Sequence, residues 1–133
     1  MPISLPASRR IVRASAIYDL VVTAAFATPW TFALAHGHIS ALNQALGGHA
    51  LPGFAPFHIL FACLMGSIVL VWSVLRIQEP TTRLGRFDGA ARLLFCLWMG
   101  WTLYLTDEPV LWLFVLPEAA LGVAQWWPVA KSG

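Results

Sequence analysis

The chemistry open to this chain is set by a few ionisable side chains in otherwise apolar surroundings: Asp19, Arg92 and Glu118. Glu118 follows Pro117 in the middle of the apolar run Val110 to Trp127, about nine residues from either end. Charge at the centre of a bilayer costs at least ~2.5–3.5 kcal/mol on insertion scales, so such a carboxylate faces the protein interior and has a partner. At ~1.5 Å of rise per residue, Asp19, Arg92 and Gln125 lie at similar, shallower depths in their own apolar runs. An arginine side chain there can reach up toward Glu118. The spacing predicts a cluster of Asp19, Arg92 and Glu118, with Gln125 and Tyr18 beside it.

Two carboxylates and one guanidinium leave an excess negative charge. Either one carboxyl keeps its proton, or a cation or ligand completes the set. A buried carboxyl of that kind suits proton transfer or acid/base work. The structural alternative is that Arg92 snorkels toward the headgroups, pairs with Asp88 one turn earlier, and merely staples helices.

Other candidate ligands are weaker. His36, His38, His49 and His58 all fall on the side opposite the arginines, and His58, opening the second span, is the one expected to point inward. Histidine clusters can hold metal or haem, but metal-type spacing is absent and no carboxylate neighbours them before Asp107 and Glu108. The expectation is an outer-side group, His58, His36 and His38, with no metal. Cys63 and Cys96 sit in separate spans without a CxxC pattern and read as small core residues. No nucleophile elbow, phosphate loop or HExxH motif is present, and no cofactor can be named.

These residues must be positioned by membrane helices. The 133 residues are 59% hydrophobic and 11% charged, with a mean hydropathy of +0.72. An ordinary soluble domain is about 45–50% apolar and ~25% charged. Windows of ~20 residues predict a single all-α domain, a bundle of four transmembrane spans over 14–35, 57–75, 89–106 and 110–127. Arg9, Arg10 and Arg13 run straight into the first span, which is too long for a signal-peptide core and reads as a retained helix. Every Lys and Arg lies on one side: these three, then Arg76, Arg83, Arg86 and Arg92, then Lys131. The positive-inside rule therefore predicts both termini in the cytoplasm. Short connections at 76–88 and 106–109 make the second, third and fourth spans successive neighbours. The long outer loop, 36–56, carries Ile39, Leu42 and Leu46 on one helical face and stops at Gly47 and Gly48, which predicts a short interfacial helix.

Arg13 with Asp19 in the first span, Asp88 with Arg92 opening the third, and Glu118 in the fourth give this layout a resemblance to the DoxX/DoxD-like group of small bacterial inner-membrane proteins, including the BphX type. The resemblance covers the whole chain in layout and implies a subunit or partner role in the membrane, in some members near quinone- or thiol-linked redox systems. Small multidrug transporters also have four helices and a carboxylate in the first, a part Asp19 would play, but Arg92 and Glu118 do not fit their pattern. The expectation is a non-catalytic inner-membrane protein that binds a lipid- or quinone-type amphiphile and works with the bilayer, a membrane partner or a second copy, but not with nucleic acid. The alternative is a proton-coupled transporter or membrane enzyme using Glu118 as acid/base.

Overall fold

The computed structural model describes residues 1–130 and is built from helices joined by short turns. Lys131 lies outside the described residues. Helix α1 spans Leu5–Thr23 and tightens into a 3₁₀ turn over Ala24–Ala27. Helix α2 follows at Pro29–Ala45, α3 at Pro56–Gln78, α4 at Thr82–Thr106, and α5 at Trp112–Trp126 after a 3₁₀ turn at Pro109–Leu111. The ends are marked by local chemistry. Ser4, Thr28 and Thr81 each accept a backbone N–H with the side-chain oxygen at the starts of α1, α2 and α4. Proline opens α2 and α3, where its missing N–H costs nothing.

The first predicted span, 14–35, is not one helix. It breaks at Thr28–Pro29, and α2 leaves the direction of α1 by 110°. Threonine before proline is a helix-start signal, which a hydropathy average cannot register. The first half of the expected outer loop, 36–45, is therefore helical. The chain stops where Gly47 turns at φ +92°, with the Gly47 and Gly48 amides closing on the carbonyls of Gln44 and Asn43.

Two segments are long and apolar enough to cross a membrane: α3, with mean hydropathy 2.2 over its best window, and Pro109–Trp126, with 1.3. The bent pair α1–α2 makes a third if counted as one span. Helix α4, at 25 residues, has the length, but Arg83, Arg86, Asp88 and Arg92 in its first half dilute its apolar character.

Packing is inverted relative to a water-soluble protein. Among the described residues the buried apolar side chains are Val12, Ala16, Phe32 and Val110, whereas Ser8, Ser15, Asn43, Ser73, Arg76, Asp88, Arg92 and Gln125 are buried polar ones. Phe57, Phe61, Leu64, Ile68 and Val71 form an exposed apolar side of α3, and Leu93, Leu97, Trp101 and Leu105 continue it on α4. Such a surface suits hydrocarbon, not water.

Helix α3 lies along α1, and α4 lies along α5. Despite their short connection, α3 and α4 do not pair along their lengths, contrary to the neighbour relation expected from loop length. They are tied near the turn, where Trp72 Nε1 donates to Asp88 Oδ1 at 2.8 Å. Where the α1–α2 break crosses α3, Gly66 leaves room for backbone: a Cβ there would come within 2.7 Å of the Phe26 carbonyl carbon.

The two ends of the bundle are closed differently. At the arginine end, the Ile3 amide donates to the Pro128 carbonyl and the Ala130 amide to the Ile3 carbonyl, both at 2.8 Å, so the two terminal segments pair. At the other end the fully buried Asn43 amide donates to the His49 carbonyl and to Glu108, and its oxygen accepts the Val110 amide at 3.0 Å. This joins the end of α2 to the turn between α4 and α5. The bonds from Asn43 and from the His49 amide hold the Glu108 carboxyl below the usual carboxylate range.

Candidate functional site: a buried ion cluster beside an apolar cavity

The site is built from pairs one helical turn apart, which place two polar groups on one face of each helix. Helix α1 contributes Ser15 and Asp19, α3 contributes Ser73 and Arg76, and α4 contributes Asp88 and Arg92. Helix α5 contributes Glu118 and Gln125, two turns apart, so both point the same way. Four helices therefore meet through charge in a chain whose outer surface is hydrocarbon.

Arg92 is 1% exposed and holds three carboxylates. Its Nη2 lies 2.7 Å from Asp19, its Nη1 2.7 Å from Glu118 Oε2, and its Nε 3.1 Å from Asp88 Oδ2. Arg76, wholly buried, pairs with Asp19 through Nη2 and with Asp88 through Nη1, each at 2.6 Å. Asp88 is the hub. Its Oδ2 also accepts from Ser15 Oγ at 3.1 Å and from Gln125 Nε2 at 2.7 Å, while Oδ1 takes the Trp72 indole. Ser15 Oγ in turn accepts from Arg92 and Gln125. The Tyr18 ring lies under the Arg92 guanidinium, 5.9 Å from ring centre to guanidinium carbon. Bonds of this charge-assisted kind are about twice as strong as neutral ones, and each partner needs the others because none can turn to water.

All five residues expected in the cluster are brought together: Asp19, Arg92, Glu118 and Gln125 through hydrogen bonds, and Tyr18 through its ring. The pairing of Arg92 with Asp88 one turn earlier is also present. Sequence reasoning missed Arg76, Ser15 and Trp72, whereas Ser73 falls on the stripe of the second span that the helical spacing turns toward the cluster. By its position Arg76 belongs with the loop arginines that set topology, yet it is buried and pairs inward. The turn spacing of Ser73 and Arg76 on α3 was the available signal. With Arg76 and Asp88 included, three carboxylates face two guanidiniums, so the cluster still carries one formal negative charge.

Of the histidines expected on the outer side, His36 and His58 both pack against the Phe54 ring, at 5.2 and 6.0 Å between ring centres. His58, expected to point inward, is exposed, and its Nδ1 accepts the Ala55 amide at 3.2 Å, capping α3. His36 Nε2 meets the Pro52 carbonyl at 2.9 Å, and its ring packs against Phe32 and Phe54. His38 is exposed. Among the described residues no group of three or more His, Cys, Asp or Glu side chains is arranged to hold a metal ion. Both cysteines are free.

Compared with protein-family profiles, with curated proteins and with solved structures, the chain has no match. What it can do is therefore read from the site.

The cluster borders open space on two sides. One is a cavity of about 470 Å³ reached by side chains of all five helices, with Val22, Ile39, Met65, Val69, Met99 and Phe114 among its walls. Asp19 and Glu118 both line it, whereas neither arginine does. Met65 and Val69 lie on α3 and Phe95, Trp98 and Met99 on α4, so the cavity occupies the gap left where these helices fail to pair. The other space is a groove of about 380 Å³ along α4 and α5, where Glu118 and Arg92 meet Gly89, Cys96 and Gly122. Glu118 lines both. Its Oε2 is held by Arg92, and its side chain is 12% exposed, the same as that of Asp19.

Proposed function

We propose that this is a small inner-membrane protein, crossing the bilayer four times with both termini cytoplasmic, whose central cavity receives a small amphiphile of lipid or quinone type. The buried ion cluster holds the helices in register and offers the ligand a polar end. The observation that carries this reading is the cavity itself: apolar walls from every helix, with the Asp19 and Glu118 residues among them. Its volume lies within the ~300–1,000 Å³ typical of small-molecule sites, and an apolar pocket with a few convergent polar groups is the usual form of one. The protein acts without catalysis, as an accessory to a membrane partner or to a second copy of itself. That role agrees with what the resemblance to the DoxX/DoxD-like group implies.

A second reading, transport or catalysis with Glu118 exchanging protons, has one observation in its favour. Glu118 is the carboxylate that lines both the central cavity and the α4–α5 groove, as a group passing protons between two compartments must.

Native mass spectrometry of protein gently extracted from its own membrane tests the ligand-binding reading. The expected spectrum shows a small non-covalent adduct on the parent, absent from Val69→Trp, which fills the cavity from an apolar wall. A bare parent chain, or an adduct that survives Val69→Trp, contradicts it. Added mass equal to another polypeptide identifies the partner.

A further inference from the structure

The cavity selects the head group of what enters it. The residues in its lining that carry polar groups are Asp19, Glu118, Thr23 and Trp98. The carboxylates accept hydrogen bonds and cannot donate while ionised. The guanidiniums that could greet an anion are turned away: Arg76 is 0% and Arg92 1% exposed, and neither reaches this cavity. Arg92 is instead committed to Asp19, Asp88 and Glu118, and Arg76 to Asp19 and Asp88. Both Asp19 oxygens already accept from guanidiniums, Oδ1 from Arg92 and Oδ2 from Arg92 and Arg76. Glu118 has a single guanidinium bond, on Oε2, leaving Oε1 to accept from elsewhere.

Charge and hydrogen bonding point the same way. With every carboxyl ionised the cluster is one positive charge short of neutral, and burial makes that deficit costly. A ligand bringing one cationic donor at the end of an apolar body removes the deficit, satisfies Glu118, and fills the walls with hydrocarbon. A carboxylate or phosphate head meets two like charges instead. A quinone carbonyl meets two carboxylate acceptors with only Thr23 and Trp98 able to donate to it, so of the two ligand types proposed above this lining favours the lipid.

From this, and resting on the ligand-binding reading above, we infer that the cavity takes an amphiphile with a protonated amine head, seated against Glu118 and Asp19 with its apolar body toward Met65, Val69 and Phe114.

The test uses the full chain in phosphatidylcholine nanodiscs at neutral pH, with tritiated dodecylamine as probe and a scintillation-proximity readout. Unlabelled dodecylamine, dodecanol and dodecanoate, which share one tail length, serve as competitors. Dodecylamine is expected to bind saturably with one site per chain. Dodecanol should compete about tenfold more weakly, the equivalent of one charge-assisted hydrogen bond, and dodecanoate more weakly still. Glu118→Gln should weaken the amine by about tenfold, and Val69→Trp should abolish the site. Equal competition by all three heads, or preference for dodecanoate, overturns the amine assignment while leaving the cavity a binding site. Absence of a saturable site for any probe overturns the cavity reading as well. The competition order on the parent protein stands alone, so the result does not depend on Glu118→Gln folding.

Discussion

Arg76→Ala is expected to destabilise the protein by ~3–5 kcal/mol, the cost of removing one partner from a buried ion pair and leaving the other charge uncompensated. Arg76 is wholly buried between Asp19 and Asp88, and no water or headgroup can replace it. Ordinary side-chain hydrogen bonds between membrane helices average only ~0.6 kcal/mol, so the charge left behind, not the bonds lost, decides the size. Arg92→Ala belongs in the same class, because it strips a cation from three carboxylates. Glu118→Gln does not. Glu118 has one guanidinium bond and some access to open space, so its replacement should cost about 0.5–1.5 kcal/mol, and it relieves the cluster of its surplus charge. Reversible unfolding of the purified variants in mixed micelles checks the order. Arg76→Ala unfolding like the parent would show that the cluster does not hold the bundle together.

Gly66→Ala is expected to cost ~1–3 kcal/mol through overpacking. A Cβ at this position would stand 2.7 Å from the Phe26 carbonyl carbon, 2.8 Å from its oxygen and 2.9 Å from the Ala27 nitrogen. All three are backbone atoms of the tight turn that redirects the chain from α1 into α2. A side chain could swing aside, but this turn cannot move without shifting both helices. Gly100→Ala, on α4, is the control, since a Cβ there meets nothing within 4 Å and alanine gains ~0.8–1.0 kcal/mol of helix propensity. The same unfolding assay should separate the two substitutions in sign. Equal stability would mean that α3 and the α1–α2 break are not in this close contact.

Much of this arrangement was legible in the sequence because it follows from periodicity and burial. Apolar runs located α3, α5 and the apolar half of α4. The cost of a mid-span carboxylate required a partner for Glu118, and Arg92 was the cation within reach. Gly47 and Gly48 marked the end of α2. What stayed hidden depended on relations between distant segments. A hydropathy window treats Thr28–Pro29 as two residues of a span, although together they start a new helix. Arg76 at the end of an apolar run looks the same whether it snorkels outward or turns inward, and only the approach of Asp19 and Asp88 decides. Nothing in the residues around Asn43 marks it as the buried tie between α2 and the α4–α5 turn. The open space between α3 and α4 had no sequence signal, because loop length constrains where two helices meet and not how they diverge.

If hydrocarbon surrounds this bundle and the arginine end lies in the cytoplasm, as proposed, the two ends of the bundle face opposite sides of the bilayer. Cysteine accessibility in intact cells and inverted vesicles tests it most directly. On a background with Cys63 and Cys96 replaced by serine, single cysteines at Arg83 and at His49 would be challenged with a membrane-impermeant maleimide. Arg83 is exposed beside the start of α4, and His49 is exposed at the far end beyond Asn43. The account predicts labelling of the His49 position from outside the cell and of the Arg83 position only in inverted vesicles. Labelling of both positions from the same side would contradict it.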